Sequence, residues 1–221
     1  MALLAANISD RPEPAKNCPL CPRLVAFRQE NGRAHPDWFN GAVPSFGRDT
    51  ARLLIVGLAP GLKGANRTGR PFLGDYAGEL LYRTLLKAGL ACGRHDPAAP
   101  DELELVDCMI SNAVRCVPPQ NKPKPDEIAR CRPFLIGRIA ALPNLASLLA
   151  LGRIAHDAIL DALQLKKRDF PFSHGARHEL PGGLVLFDSY HCSRQNTNTG
   201  RLTTAMFEKV VAEAAASLHR P

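Results

Sequence analysis

The sequence predicts an α/β protein with three layers, α/β/α, around a central, mainly parallel sheet of four strands. Short apolar runs that favour β-structure alternate with segments of helical apolar spacing, which is typical of βαβ units. With 221 residues, 45% of them hydrophobic, the chain is long enough to bury a substantial core. The sequence contains no internal repeat or low-complexity tract. We therefore expect one domain over residues 1–221.

The first two units lie in the N-terminal part of the chain. Residues 52–57, RLLIVG, form a predicted strand that runs into Gly and Pro, as a buried strand entering a loop does. Leucines over 80–86 recur at helical spacing. A second strand is predicted over 103–114, followed by the Pro-rich turn 117–125 and a helix over 126–141.

Two further units complete the predicted sheet. One is a strand over 145–151 with a helix over 153–163, and the other is a strand over 183–190 with a helix over 203–218. Right-handed crossovers between such strands give a parallel sheet. Ligands of these sheets bind beyond the carboxyl ends of the strands, so the polar residues after each strand are the candidates for chemistry.

Charge and cysteine content indicate the class of partner and the compartment. Lys plus Arg exceed Asp plus Glu by 28 to 21, a formal charge of +7 that favours a polyanionic partner. Seven cysteines, an odd number, argue against a complete disulfide framework and for a reducing compartment. Residues 1–10 do not resemble a secretory signal, and no apolar run approaches the roughly 18 residues of a membrane span. We expect a cytoplasmic protein with no membrane partner.

The loop after the first predicted strand, residues 57–75, is rich in glycine, which indicates that some group approaches its backbone closely. A phosphate-binding loop needs Gly-x4-Gly-Lys-Ser/Thr. Residues 64–69 have that glycine spacing, but Arg70 and Pro71 follow in place of Lys and a hydroxyl. The dinucleotide pattern G-x-G-x-x-G is also absent. An ordinary glycine-rich connection is the alternative.

The same loop carries an aromatic ring, a carboxylate and two guanidinium groups: Phe72, Asp75, Arg67 and Arg70. Stacking a base on an aromatic ring is worth roughly 1–3 kcal/mol, and neighbouring arginines suit phosphate. The alternative is that Phe72 belongs to the core and that Asp75 caps the following helix. The combination favours a nucleotide pocket.

Two more polar residues follow later strands. Asn112 offers a donor and an acceptor, so it can read the edge of a pyrimidine. His191 could donate a hydrogen bond to a developing anion. Each could instead be a structural residue at a strand end. Because the carboxyl ends of parallel strands meet at one edge, we expect both residues near the 57–75 loop.

Four cysteines have the spacing of a metal or cluster site. Two form a C-x2-C pair, and the other two lie far downstream with 14 residues between them. Zinc sites usually present two tight pairs, so this spacing favours a [4Fe–4S] cluster over zinc. A coincidence of spacing is the alternative. The proposed ligands are Cys18, Cys21, Cys116 and Cys131, and the cysteines left over are Cys92, Cys108 and Cys192.

The motifs, taken together and in order, resemble the uracil-DNA glycosylase superfamily, and within it family 5, the iron–sulfur branch. The resemblance rests on these motifs: GLAPG with NRTGRPFLGD over 57–75, SNAVRCVPPQN over 111–121, Cys131 in DEIARCRPFL, and YHCSRQNTNTGRL over 190–202. Family 4 would have an acidic residue at Leu58. The resemblance implies an enzyme that flips uracil out of DNA and hydrolyses its N-glycosidic bond, leaving an abasic site. It also implies a structural [4Fe–4S] cluster.

The resemblance implies roles for the loop residues. Phe72 would stack on the extruded base, Asn112 would read its edge, and backbone N–H groups would seat its carbonyls. His191 would stabilise the uracil anion as it leaves. Other families place Asp or Asn at the position of Ala59, so we expect Asp75, helped by Asn121, to orient water. The residues expected to bind the base are Gly57, Ala59, Gly61, Phe72 and Asn112.

The last motif supplies the expected contacts to double- and single-stranded DNA by a monomer. Arg194 and Gln195 would fill the gap left by the flipped base, whereas Asn196 and Arg201 would contact phosphate or cap the last helix. Ser193, Arg67 and Arg70 complete the expected DNA contacts. The motif usually reads His-Pro-Ser, so Cys192 is expected to loosen the loop and to add a thiol near the pocket.

Two alternatives remain open from the sequence. One is a DNA-binding iron–sulfur protein without catalysis, because Ala59 cannot activate water. The other is a nucleotide hydrolase with a structural zinc. The family resemblance further implies that deaminated or modified bases other than uracil are accepted.

Overall fold

The computed structural model describes residues 12–95 and 102–218. The N-terminal segment considered as a secretory signal lies outside these residues. In the described ranges no helix combines the length and the apolar character that crossing a membrane requires. The helices are α1 (Pro22–Ala34), α2 (Ala65–Thr68), α3 (Tyr76–Lys87), α4 (Pro125–Ala140), α5 (Arg153–Ala162), α6 (Arg194–Asn198) and α7 (Thr204–Ser217). The strands are β1 (Phe46–Gly47), β2 (Leu53–Gly57), β3 (Ala91–Cys92), β4 (Glu104–Leu105), β5 (Cys108–Asn112), β6 (Ser147–Leu151), β7 (Arg177–Glu179) and β8 (Val185–Ser189).

The main sheet is mixed and has six strands in the order β1-β5-β2-β6-β8-β7. The four inner strands are the predicted ones and run parallel, whereas β1 and β7 pair antiparallel at the two edges. The prediction of four strands was therefore wrong in number. The edge strands have only two and three residues, too short to show an alternating pattern.

The predicted strand over 103–114 is two strands of different sheets. β4 pairs with β3 in a separate two-stranded sheet, and β5 enters the main sheet. Between them Asp107 has a φ of 53°, in the left-handed region. That turn separates the two strands, although the residues on both sides are apolar.

The core has two halves, one on each face of the sheet. Along β2, Leu53 and Ile55 point to the face covered by α3 and α7, and Leu54 and Val56 point to the face covered by α4 and α5. All five residues of β2 are buried. Side chains alternate across a strand, so a strand buried on both faces is continuously apolar, as the sequence predicted. The carboxyl ends of the parallel inner strands, with the loops that follow them, lie on one side of the sheet.

Candidate active site

A cleft of about 690 Å³ lies at the carboxyl ends of the inner strands. This volume is in the range of small-molecule and cofactor sites. Residues from the loops after β2, β5, β6 and β8 line it, as expected for a parallel sheet. The predicted site residues in its wall are Ala59, Gly61, Phe72, Asp75, Asn112, Asn121, His191, Ser193, Arg194, Gln195, Asn196 and Arg201.

Phe72 is buried at 6% exposure, yet it reaches the cleft. Its φ is 63°, a left-handed conformation that costs a residue other than glycine about 1–3 kcal/mol. The surroundings impose that conformation. The Tyr82 hydroxyl donates to the carbonyl of Pro71, and a Cβ on Gly78 would collide with the carbonyl of Phe72. Strained backbone of this kind is typical of functional sites.

Asn112 ends β5 beside Phe72 and is 3% exposed. A Cβ on Gly57 would lie 2.5 Å from Asn112 Oδ1 and 2.6 Å from Phe72 Cζ, so glycine is needed there. Asn112 Oδ1 is buried and has no hydrogen-bond partner among the described residues. Such an orphaned acceptor costs about 1–3 kcal/mol, and a bound donor would remove that cost.

His191, in the segment after β8, lines the same cleft. Its ring is stacked against that of Phe72, with centroids 6.0 Å apart and planes 25° apart. Burial lowers the pKa of His191 to about 4, so the imidazole is neutral at neutral pH. Its Nδ1 is buried and has no hydrogen-bond partner in the described part of the chain. Two orphaned polar atoms, on Asn112 and His191, thus flank the ring of Phe72.

Asp75 lies at the N-cap position of α3, but its side chain does not cap that helix. The carboxylate turns to the preceding loop and accepts a hydrogen bond of 3.4 Å from Ala65 N–H. Burial raises its pKa to about 6, against the lowering effect of backbone N–H groups of Ala65 and Gly61 and of nearby Arg67. A carboxyl group of this kind, in a cleft and titrating near neutrality, is suited to acid–base chemistry.

The glycines of the loop after β2 make room for these side chains. A Cβ at Gly61 or Gly64 would collide with the Asp75 carboxylate. The close approach predicted from the glycine content is thus made by Asp75, Asn112 and Phe72, which are residues of the site itself.

Three predicted residues lie elsewhere. Gly57 is buried beneath the site and does not line the cleft. Arg67 is exposed on α2, where its Nε donates to the carbonyl of Lys63 at 2.8 Å. Arg70 lies on the ring of Phe46, with its Cζ 3.7 Å from the centroid, and outside the cleft wall. Arg70 thus packs against the edge of the sheet, and its contact with phosphate stays a prediction.

The segment after β8 folds over the cleft as α6. Ser193 caps this helix by accepting from Asn196 N–H, and the Asn196 side chain donates to the carbonyl of His191 at 2.8 Å. The guanidinium of Arg194 lies 4.9 Å from the ring centroid of Tyr76, and that of Arg201 lies 4.5 Å from that of Tyr190. The last helix is capped by Thr203, not by Asn196 or Arg201.

Cys192 is fully buried and its Sγ donates to the carbonyl of Ala77 at 3.4 Å. Burial raises the pKa of its thiol to about 12, so the thiol stays protonated. Cys192 thus adds a thiol next to the cleft residues His191 and Ser193, as expected, but this thiol holds the loop to the start of α3, where a loosened loop was expected.

The predicted Asn121 lies exposed on the rim of the cleft in a turn over Pro119–Asn121, with Gln120 and Lys122 beside it. Sequence reasoning missed several other residues that line the cleft. Tyr190 begins the last motif but was given no role, and the others lie outside the motifs, although Phe172 and Tyr190 were detectable as aromatic residues near strand β8. The residues outside the motifs are Tyr76, Arg153, Ile154 and Phe172.

The four proposed cluster ligands line one small cavity, against which Ala59 packs. They are Cys18, Cys21, Cys116 and Cys131. All four are free thiols. The buried guanidinium groups of Arg28 and Arg115 lower the pKa of Cys116, although burial outweighs them and raises it to about 12. The Nε of each arginine is buried and lacks a partner among the described residues. The donor set thus fits a group bound by four thiolates.

A second group of potential ligands is explained by hydrogen bonds. Among the described residues, only His156, His178 and Asp188 form a set of three His, Cys, Asp or Glu whose ligand atoms all lie within 4.8 Å of one another. His156 Nδ1 lies 2.7 Å from Asp188 Oδ1, and its Nε2 lies 2.9 Å from the carbonyl of Phe170. Both ring nitrogens of His156 thus lie within hydrogen-bond distance of a protein oxygen atom.

The comparisons with known proteins agree on one family. The model of the uracil DNA glycosylase superfamily matches residues 44–215. The chain is 48% identical to the type-5 uracil-DNA glycosylase of Thermus thermophilus over 203 residues, covering 89% of this chain and 92% of that protein. It is 40% identical to the type-5 enzyme of Mycobacterium leprae, with 89% and 90% covered. It is 36% identical to the type-5 enzyme of Pyrobaculum aerophilum, with 90% and 88% covered.

Proposed function

This chain belongs to the uracil DNA glycosylase superfamily, and from that premise we infer that it is a DNA repair enzyme that removes uracil by hydrolysis of the N-glycosidic bond. The observation that carries this inference is the pair of orphaned polar atoms, Asn112 Oδ1 and His191 Nδ1, beside the ring of Phe72. A uracil base has a flat face for stacking and an N–H and carbonyls for hydrogen bonds. A base inside a duplex cannot reach this cleft, so the nucleotide must be flipped out.

We propose that Phe72 and Asn112 select the base. Stacking on the Phe72 ring tolerates any planar base, whereas the Asn112 amide reads the edge of a pyrimidine by accepting from its N–H. Ala59 and Gly61 line the cleft, and the backbone N–H groups of their loop would supply donors for the carbonyls of the base. Binding of the base would satisfy the Asn112 Oδ1 acceptor that the protein leaves unpaired.

His191 acts on the leaving group. As the glycosidic bond breaks, negative charge develops on the uracil ring, and a preorganised donor stabilises that charge most in the transition state. The neutral imidazole carries one ring N–H, which can donate a hydrogen bond to this charge. Its orphaned Nδ1 shows that no protein group competes for that side of the ring within the described residues.

Asp75 acts on the sugar side. Ala59 has no side chain able to hold water, so Asp75 is the carboxylate of the loop that can orient the attacking water and balance the oxocarbenium charge. Asn121 lies on the rim of the cleft, where its amide can assist.

The contacts with double- or single-stranded DNA are made by the exposed side chains of Arg194 and Gln195, together with Ser193, Asn196 and Arg201. We further propose that the enzyme acts as a monomer.

The test of this function separates an enzyme from a protein that only binds DNA. The purified protein is incubated with an oligonucleotide that contains one uracil, and the products are treated with alkali. We expect strand scission at the uracil position, because alkali cleaves abasic sites. Binding of the oligonucleotide without scission would favour the non-catalytic alternative that Ala59 suggests.

We also propose that the cleft accepts other deaminated or modified bases. Leu58 and Ala59 present no polar side chain to the base, so discrimination depends mainly on Asn112. A panel of oligonucleotides with single lesions, assayed with excess enzyme, should show release of hypoxanthine or xanthine besides uracil. Release of uracil alone would contradict this broader range.

We propose that the four cysteines hold a [4Fe–4S] cluster with a structural role. Zinc–sulfur distances of about 2.3 Å in a tetrahedral site place the sulfur atoms about 3.8 Å apart. No three of the described cysteines have sulfur atoms all within 4.8 Å, and a four-iron cluster holds its thiolates farther apart than one ion does. Cys116 begins the segment that leads to Asn121, so the group would fix that rim of the cleft.

Protein purified without oxygen should be brown and contain about four irons and four acid-labile sulfides per chain. Cys131→Ala should lose the colour, most of the iron and much of the thermal stability, because Cys131 lies in the middle of α4 at 8% exposure. Cys92→Ala is the matched control, since Cys92 is exposed and outside the cavity. A colourless wild-type protein with one zinc per chain would contradict the cluster.

A further inference from the structure

The position of His191 depends on the backbone around it. Its Nδ1 is buried without a partner among the described residues, and its ring meets Phe72 only by stacking at 6.0 Å. If Nδ1 of His191 binds a ligand, it cannot also form a hydrogen bond with the protein that fixes the orientation of the imidazole. The segment that carries the imidazole must therefore be held by other contacts.

Hydrogen bonds on both sides of His191 hold that segment. On the downstream side, the Asn196 side chain donates to the carbonyl of His191 at 2.8 Å, and Cys192 Sγ donates to the carbonyl of Ala77 at 3.4 Å. On the upstream side, the N–H of Tyr190 donates to Nδ1 of His174 at 3.2 Å. This last contact comes from a different part of the chain, the loop that precedes β7.

The surroundings of His174 favour Nδ1 as a hydrogen-bond acceptor. Its ring stacks on that of Tyr190, with centroids 5.1 Å apart and planes 21° apart. The Ser189 hydroxyl lies 3.5 Å from the same Nδ1, but it donates its proton to the carbonyl of Tyr190 at 2.9 Å. Nδ1 is thus left for the Tyr190 N–H. Burial lowers the pKa of His174, which favours the neutral imidazole, and the neutral ring with its proton on Nε2 has Nδ1 as an acceptor.

The loop that carries His174 is itself fixed to β8. Gly175 N–H donates to the carbonyl of Asp188 at 2.8 Å, and Asp188 N–H donates to the carbonyl of Ala176 at 3.0 Å. The Asp188 carboxylate is held by His156 at 2.7 Å and by His178 at 3.2 Å. His174 therefore stands on a rigid support next to the end of the strand.

We propose that His174 is a positioning residue for the glycosylase reaction, which holds the Tyr190 N–H so that His191 faces the leaving base. The inference rests on the proposed function, because it assumes that His191 acts on the leaving base. Without the acceptor, the Tyr190 N–H is left unpaired and the strand end can shift. A displacement of about 1 Å at a catalytic group can cost about 100-fold in rate.

Two matched variants separate the hydrogen bond from the stacking. His174→Asn places Oδ1 at the same number of bonds from the backbone as Nδ1, so it keeps the acceptor and loses the ring. His174→Phe keeps a flat ring and loses the acceptor. Uracil release is measured under single turnover with saturating enzyme, together with DNA affinity and thermal unfolding.

We expect His174→Phe to slow uracil release at least about 10-fold at unchanged DNA affinity, and His174→Asn to stay within about threefold of the wild type. A wild-type rate for His174→Phe, or equal losses in both variants, would overturn the proposal. So would a loss that appears only as weaker DNA binding.

Hydrogen exchange of the Tyr190 amide gives a readout that does not depend on activity. We expect slow exchange in the wild type and in His174→Asn and faster exchange in His174→Phe. Fast exchange in the wild type would overturn the proposal even if a variant failed to fold. Slow exchange in a wild type that releases no uracil would instead show that the proposed function is wrong and that the contact exists.

Discussion

Replacement of His191 by alanine is expected to lower the single-turnover rate of uracil release by about 10²–10³-fold, the usual cost of removing one preorganised donor to a developing anion. DNA affinity should change little, because the imidazole acts where charge develops in the transition state and not on the DNA backbone. Presteady-state release from a duplex with one uracil measures the rate, and titration with the same duplex measures affinity.

The pH dependence of the reaction bears on the same residue. Burial lowers the pKa of His191 to about 4, so its protonation state is constant between pH 5.5 and 8. Over that range we expect the rate of uracil release by His191→Ala to vary with pH as the wild-type rate does, and to be lower at every pH. His35→Ala is a matched control, since His35 is exposed and does not line the cleft. A rate for His191→Ala equal to that of the control would remove His191 from the mechanism.

Asp75→Asn is expected to lower the rate by about 10²-fold or more, the usual contribution of a positioned acid–base group. Burial raises the pKa of Asp75 to about 6, and the ionised form is the one that can orient water and balance a sugar cation. The wild-type rate should therefore rise with pH up to about 6 and then level off. Asp75→Asn should lack this rise, because an amide does not titrate.

Stability provides the control for this variant. A carboxyl group with a raised pKa in the folded state stabilises the fold when protonated, and this contribution is lost as pH rises from about 4 through about 6. Asp75→Asn should therefore unfold at a temperature no lower than the wild type at pH 7.5. Glu79→Gln, an exposed change in the first turn of α3, should leave rate and profile unchanged. A wild-type rate for Asp75→Asn would exclude the role given to the carboxylate.

The inner strands and their helices could be predicted because burial on both faces leaves continuous apolar runs, as in β2 and β6. The two edge strands of the sheet could not be predicted. β1 and β7 owe their pairing to the strands beside them and carry too few residues for a pattern. Helix α1 was also missed, since its buried residues include Arg28 and Asn31, which a search for apolar spacing does not count.

The site was predictable where residue type and strand order decide the chemistry. Asn112 and His191 follow strands that lie on either side of β2 and β6, so their loops open into one cleft. The strained backbone of Phe72 was not predictable, because contacts with Gly78 and Tyr82 impose it. The role of His174 was equally hidden, since it depends on one nitrogen that meets a backbone N–H 16 residues away in the chain.

The proposed function is tested most directly by the release of free uracil from a duplex with one uracil opposite guanine, with wild-type protein and His191→Ala compared at equal DNA occupancy. We expect the wild type to release one uracil per bound duplex and to leave an abasic site, whereas His191→Ala should bind equally and release uracil about 10²–10³-fold more slowly. A wild-type protein that occupies the duplex fully and releases no base would contradict it.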